Sequence, residues 1–161
     1  KFGDAKNVHL KNLALGSASG TSIVELHRNS ELNTLINDQP RTDDLLGETE
    51  VVSIESLDNF CNSASIQKID VLKMDVQGWE LEVLEGAKSL IESKRIGFVY
   101  AEVGFRRADS DMQHFSELND FLEKNGFWLC GFYEPFRWGI NKEYLGFANA
   151  LYVNRDFAAN H

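Results

Sequence analysis

Residues 69–104 alternate an apolar run, a glycine turn, an amphipathic stretch and a second apolar run, and this order leaves few folds open. IDVLKMDV (69–76) has the length and composition of a strand and stops at Gln77-Gly78. The spacing then predicts a helix from Trp79 to Ser93, with Leu81, Leu84 and Ile91 near one face and Val83, Ala87 and Leu90 widening it. Glu80 and Glu82 open that helix and Lys94 and Arg95 follow its end, as the helix dipole favours. IGFVYAEVG (96–104) is the next strand, with too few polar positions for an exposed face.

The flanks extend the rhythm. Residues 8–15 and 22–27 read as strands around a turn at 16–21, 30–38 as a short helix or irregular stretch, and 39–50 as a mobile acidic loop. Residues 51–54 form a short strand and 56–61 a helical turn. A second helix is expected from Asp111 to Asn125, where Met112, Phe115, Leu118, Phe121 and Leu122 recur at helical spacing before Gly126. The last strands are 127–133 and 144–154, an antiparallel pair joined by a loop at 134–143. The sum is an open α/β sheet whose apolar strands suit helices on both faces.

Composition narrows the function classes. The 161 residues are 43% hydrophobic with two prolines, which fits one ordinary domain with a real core. A net charge of −9 argues against a nucleic-acid coat. Cys61 and Cys130 form no C-x-x-C pair and read as reduced, partly buried thiols. No apolar run approaches the roughly 20 residues of a transmembrane helix, and no signal peptide is seen, so a cytoplasmic location is expected. The chain opens on Lys1 without an initiator methionine, so it reads as part of a longer polypeptide.

Candidate chemistry centres on the strand-to-helix junction. Asp75 sits near a strand's carboxyl end, where ligands of open α/β sheets bind. Gln77, two residues on, points to the same side in extended backbone, and Glu80 can turn back toward both. Glu102 repeats the placement on the next strand, so Asp75 and Glu102 can meet. Against this, Asp75 can simply cap the helix or receive backbone hydrogen bonds, and Glu102 can pair with Arg106 or Arg107. His9, His27, His114 and His161 show no metal-ligand spacing, and no metal site is expected. The aromatic cluster at 127–138 reads as core, with Phe136 and Trp138 as an alternative pocket wall.

LKMDVQGWELEVLEGAKSLI (72–91) resembles the central signature of the FkbM family of S-adenosylmethionine-dependent methyltransferases. Lys73, Met74, Asp75, Val76, Gln77, Gly78, Glu80, Val83, Leu84, Gly86 and Ala87 carry the pattern, with Gln77 where the family usually has Glu. Residues 12–27, 51–60, 99–103 and 147–153 resemble its flanking strands. The family's opening strand and Asp-x-Gly-Ala-x-x-Gly-like loop have no counterpart, and Asp4 cannot substitute.

The resemblance implies a class I methyltransferase-like, Rossmann-like three-layer sandwich, mostly parallel with an antiparallel C-terminal strand. It implies a single domain over 1–161, truncated at its N-terminus and lacking the first two strands of the order 3-2-1-4-5-7-6. The open edge this leaves invites self-association. For a longer parent, it implies S-adenosylmethionine-dependent O-methylation of a hydroxyl on a sugar, glycan or natural product. Asp75, Glu80 and Glu102 are then the catalytic candidates, and Ala14, Leu15, Asp75 and Gln77 the cofactor-binding ones. The alternative is a catalytically inactive methyltransferase-like binding or assembly module.

Overall fold

A computed structural model describes residues 7–27, 45–109 and 112–159. In chain order it contains β1 (Ala14–Leu15), β2 (Gly20–His27), β3 (Leu45–Glu55), α1 (Leu57–Ser63), β4 (Ile69–Met74), α2 (Glu80–Glu85) and α3 (Lys88–Glu92). Then follow β5 (Ile96–Gly104), α4 (Phe115–Lys124), β6 (Phe127–Trp138), β7 (Tyr144–Asn154) and α5 (Arg155–Ala158). The strands form two mixed sheets, β1-β3-β2 and β4-β5-β7-β6. β4 and β5 run parallel, and β7 is antiparallel to both β5 and β6.

Alternation along the second sheet sorts its faces. Leu72 and Met74, Val99, Ala101 and Val103, and Ala150 and Tyr152 point one way, into a single buried cluster with α1, α2, α3 and α4. Leu84, Leu90, Leu118 and Leu122 are fully buried there, each contributing about 2 kcal/mol by removal from water. The opposite face carries Val71, Lys73, Tyr100, Glu102, Asn149 and Leu151, all half-buried or exposed. Among the described residues only the single turn α5 reaches it, laying Phe157 edge-on to Phe98 with centroids 5.2 Å apart. Among the described residues, α1 to α4 thus pack on one face and α5 touches the other.

Several boundaries differ from expectation for identifiable reasons. The strand expected over 8–15 shrinks to Ala14–Leu15, because only these residues pair, with Ile54 and Glu55; Val8 and Leu10 stay exposed. The single helix expected from Trp79 to Ser93 breaks at Gly86-Ala87 into α2 and α3. A Cβ on Gly86 would stand 2.0 Å from the Gly16 carbonyl oxygen, so the junction is pressed onto the end of β1. Asp58 of α1 caps α3, accepting from the Ser89 and Leu90 amides at 2.8 and 3.0 Å. The second helix starts at Phe115, since His114 is extended and its Nδ1 accepts from the Ser116 amide at 3.2 Å.

Half of the loop expected at 134–143 is strand: residues 134–138 belong to β6 and 139–143 connect it to β7. β6 continues to Trp138 through irregularities between Tyr133 and Phe136, where Pro135 escapes the ladder hydrogen bond it cannot donate. The aromatic cluster is mostly not core: Phe127 is buried, but Trp128, Phe132, Tyr133, Phe136 and Trp138 are exposed. Cys61 is buried, whereas Cys130 on β6 is exposed rather than partly buried. The turn expected at 16–21 shortens to 16–19, because Gly20 and Thr21 already pair with β3, whereas the antiparallel closing pair is as expected. The expected element at 30–38, residues 39–44 of the loop, Asp4 and Asp111 lie outside the described residues, and 45–50 belong to β3.

Candidate functional site

The junction between β4 and α2 is a tight turn with two left-handed residues, Gln77 at φ +51° and Gly78 at +88°. Glycine adopts that conformation freely, whereas a glutamine held there costs about 1–2 kcal/mol. Glu80 braces the turn. It is 1% exposed, and its Oε1 accepts from the Val76 amide at 3.2 Å. Burial pushes its carboxyl above the ordinary value, opposed by backbone amides of the same turn. The N-cap of α2 is Trp79 and no side chain caps the helix, so Asp75 is not the helix cap that the sequence allows.

Asp75 instead stands exposed at the strand end. Its Oδ2 takes the Lys73 ammonium at 3.1 Å and its Oδ1 the Gln77 amide at 3.4 Å. Met74 pairs with Ala101, so Asp75 and Glu102 lie at adjacent strand ends. Burial raises the Glu102 pKa first and the Asp75 charge adds to it, while Lys73 and a hydrogen bond from Gln77 pull it down. Arg106 is engaged by Asp109 and the Tyr144 hydroxyl, and Arg107 by Glu117 and Ser116. Neither of these contacts draws on Glu102. Asp75, Gln77 and Glu102 are thus brought together, with Glu80 buried behind them.

Beside this cluster a cavity of about 420 Å³ opens between the first sheet and the β4 edge. Leu13, Ala14 and Leu15 form one wall, Leu72 to Val76 the other, and Val24, Val52, Trp79 and Val83 complete it. Of the cofactor candidates, Ala14, Leu15 and Asp75 line it and Gln77 does not. The apolar wall suits a flat heteroaromatic group, and Asp75, the only carboxylate in the lining among the described residues, suits a hydroxyl or ammonium. Among the described residues the lining holds no second carboxylate and no glycine-rich backbone turn, so these residues fit part of an adenosyl group's needs. Among the described residues no group of three or more His, Cys, Asp or Glu side chains could hold a metal ion.

The same sheet face continues onto the closing hairpin, which sequence reasoning assigned to loop and core. Glu102 is opposite Asn149, and Asn149 opposite Tyr133. Asn149 Nδ2 donates to Glu134 Oε2 at 3.1 Å, and the Tyr100 and Tyr133 rings lie 6.3 Å apart. Glu134 sits at φ +51° within the strand irregularity, which re-aims its side chain. An antiparallel register carries these residues to Glu102, and neither local composition nor spacing signals it.

The sequence model of the methyltransferase FkbM domain matches residues 4–129. Over 53 residues the chain is 40% identical to the 2-O-methyltransferase NoeI of Sinorhizobium fredii (strain NBRC 101917 / NGR234), covering 32% of this chain and 21% of that protein. No solved structure matches the chain. Among the described residues, no helix is long and apolar enough to cross a membrane.

Proposed function

The chain belongs to the FkbM methyltransferase family, and from that membership we propose that it is part of an S-adenosylmethionine-dependent O-methyltransferase acting on a sugar, glycan or natural-product hydroxyl. The observation that carries this reading is the meeting of Asp75, Gln77 and Glu102 at adjacent strand ends, beside a cavity walled by Ala14 and Leu15. The name of NoeI, a 2-O-methyltransferase, supports a hydroxyl acceptor. The cofactor supplies the methyl group. Ala14, Leu15 and Asp75, which line the cavity, and Gln77 beside them are the residues proposed to hold it.

A hydroxyl oxygen that takes a methyl group must lose its proton, and Glu102 is the proposed base. A carboxylate with a raised pKa is a better proton acceptor near neutrality than an ordinary one. Gln77, an amide, orients without titrating. Asp75 orients the reactants at the rim, and Glu80 serves as a positioning residue that fixes the turn carrying Gln77.

A second reading rests on a different observation. Among the described residues the outer edges of β4 and β1 are unpaired and face an apolar cavity, which suits a module that associates with other chain segments or a second copy. Calorimetric titration with S-adenosylhomocysteine separates the two. The enzyme reading expects saturable binding that Asp75→Ala weakens, whereas no heat from the folded chain together with concentration-dependent self-association in sedimentation velocity selects the association module.

A further inference from the structure

We propose that Tyr133, Glu134 and Asn149 of the β6–β7 hairpin, together with Glu102, form the acceptor subsite, built for a neutral or amino-bearing pyranoside. This rests on the methyltransferase reading and deepens it by naming where the acceptor lies and what chemistry it has.

Register creates the subsite. Glu102, Asn149 and Tyr133 occupy one transverse row across β5, β7 and β6, so neighbouring backbones are about 5 Å apart. The row therefore spans about two strand spacings, the width of a single sugar ring. The strand irregularity after Tyr133 then turns Glu134 back onto the same face, where its carboxylate meets the Asn149 amide. A β-bulge is a usual device for re-aiming one side chain beside a site.

The chemistry of the row selects the ligand. Each ring hydroxyl both donates and accepts. The two carboxylates accept, and an amide with one N–H on Glu134 retains a second donor and its carbonyl. Tyr133 is 48% exposed and offers a ring face for sugar C–H groups. Next along the hairpin, Phe136 stacks on Phe147 with centroids 4.9 Å apart, extending that apolar wall. The charge is wrong for a phosphorylated or sulfated acceptor, because Glu102, Glu134 and Asp75 share the face and the nearby cation Lys73 is held by Asp75.

The test uses the ¹⁵N-labelled full chain titrated with methyl β-D-glucopyranoside, methyl β-D-galactopyranoside and methyl α-D-mannopyranoside. At least one should shift the Asn149 side-chain amide and the Tyr133 and Glu102 backbone amides saturably. Asn149→Ala and Glu134→Gln should each weaken that glycoside about fivefold or more, with the Phe105–Phe115–Phe132 cluster resonances unmoved as proof of folding. No shifts with any of the three, shifts confined to other residues, or affinity untouched by both substitutions would overturn the subsite. S-adenosylhomocysteine titrated into the same samples keeps the two ideas apart. Its binding without glycoside shifts rejects the subsite alone, whereas glycoside shifts without its binding support the subsite and reject the donor reading.

Discussion

Asp75 and Glu102 each follow a paired residue, Met74 and Ala101, so the two carboxylates share the end of a parallel strand pair. Burial and the Asp75 charge raise the Glu102 pKa above its ordinary 4.5. Asp75→Asn removes the repulsion and frees Lys73, so the Glu102 midpoint should fall toward 4.5, read by ¹³C NMR of its carboxyl. The sign for stability follows. A carboxyl with a raised folded-state pKa favours the fold most below its unfolded value, and that contribution is lost as pH rises through the folded one. The variant should therefore lose less stability than the parent across that window. A midpoint that does not move removes the electrostatic coupling from the account. The pairing of these two residues was legible because strand period and β–α–β order suffice to place it. The burial of Glu80 was not, since its exposure depends on how the turn folds back onto Val76.

Among elements, the α2–α3 break shows where local periodicity stops being informative. Residues 79–93 carry one continuous helical pattern, and Val83, Leu84, Ala87, Leu90 and Ile91 are all buried as that pattern requires. The interruption comes from elsewhere in the chain: the Gly16 backbone at the end of β1 presses on Gly86. Gly86→Ala places a methyl 2.0 Å from a carbonyl oxygen that cannot rotate away. The substitution should cost about 1–3 kcal/mol, seen as a lower denaturation midpoint at unchanged m-value. An unaltered midpoint would mean that the junction has slack. The β6–β7 hairpin makes the same point. The boundaries of β7 agree with its apolar pattern, but the extension of β6 across Pro135 depends on a partner strand and a bulge.

At the scale of the molecule, the order β4-β5-β7-β6 leaves β4 as an edge among the described residues, with Val71 58% exposed. If this edge recruits a second copy, sedimentation velocity should show concentration-dependent dimers, and Val71→Lys should weaken them about tenfold, or ~1.4 kcal/mol. Equal association by both proteins would move the contact away from β4. What the sequence by itself determined is the parallel β4–α–β5 unit, the antiparallel closing pair and the Asp75–Glu102 junction. These follow from hydrophobic period, glycine turns and strand-end position, all written in neighbouring residues. Only the tertiary structure decided the helix break at Gly86, the inward turn of Glu80 and the alignment of Tyr133, Glu134 and Asn149 with Glu102. Each of those depends on segments distant in sequence coming into contact, and steric exclusion and strand register act only after that contact is made.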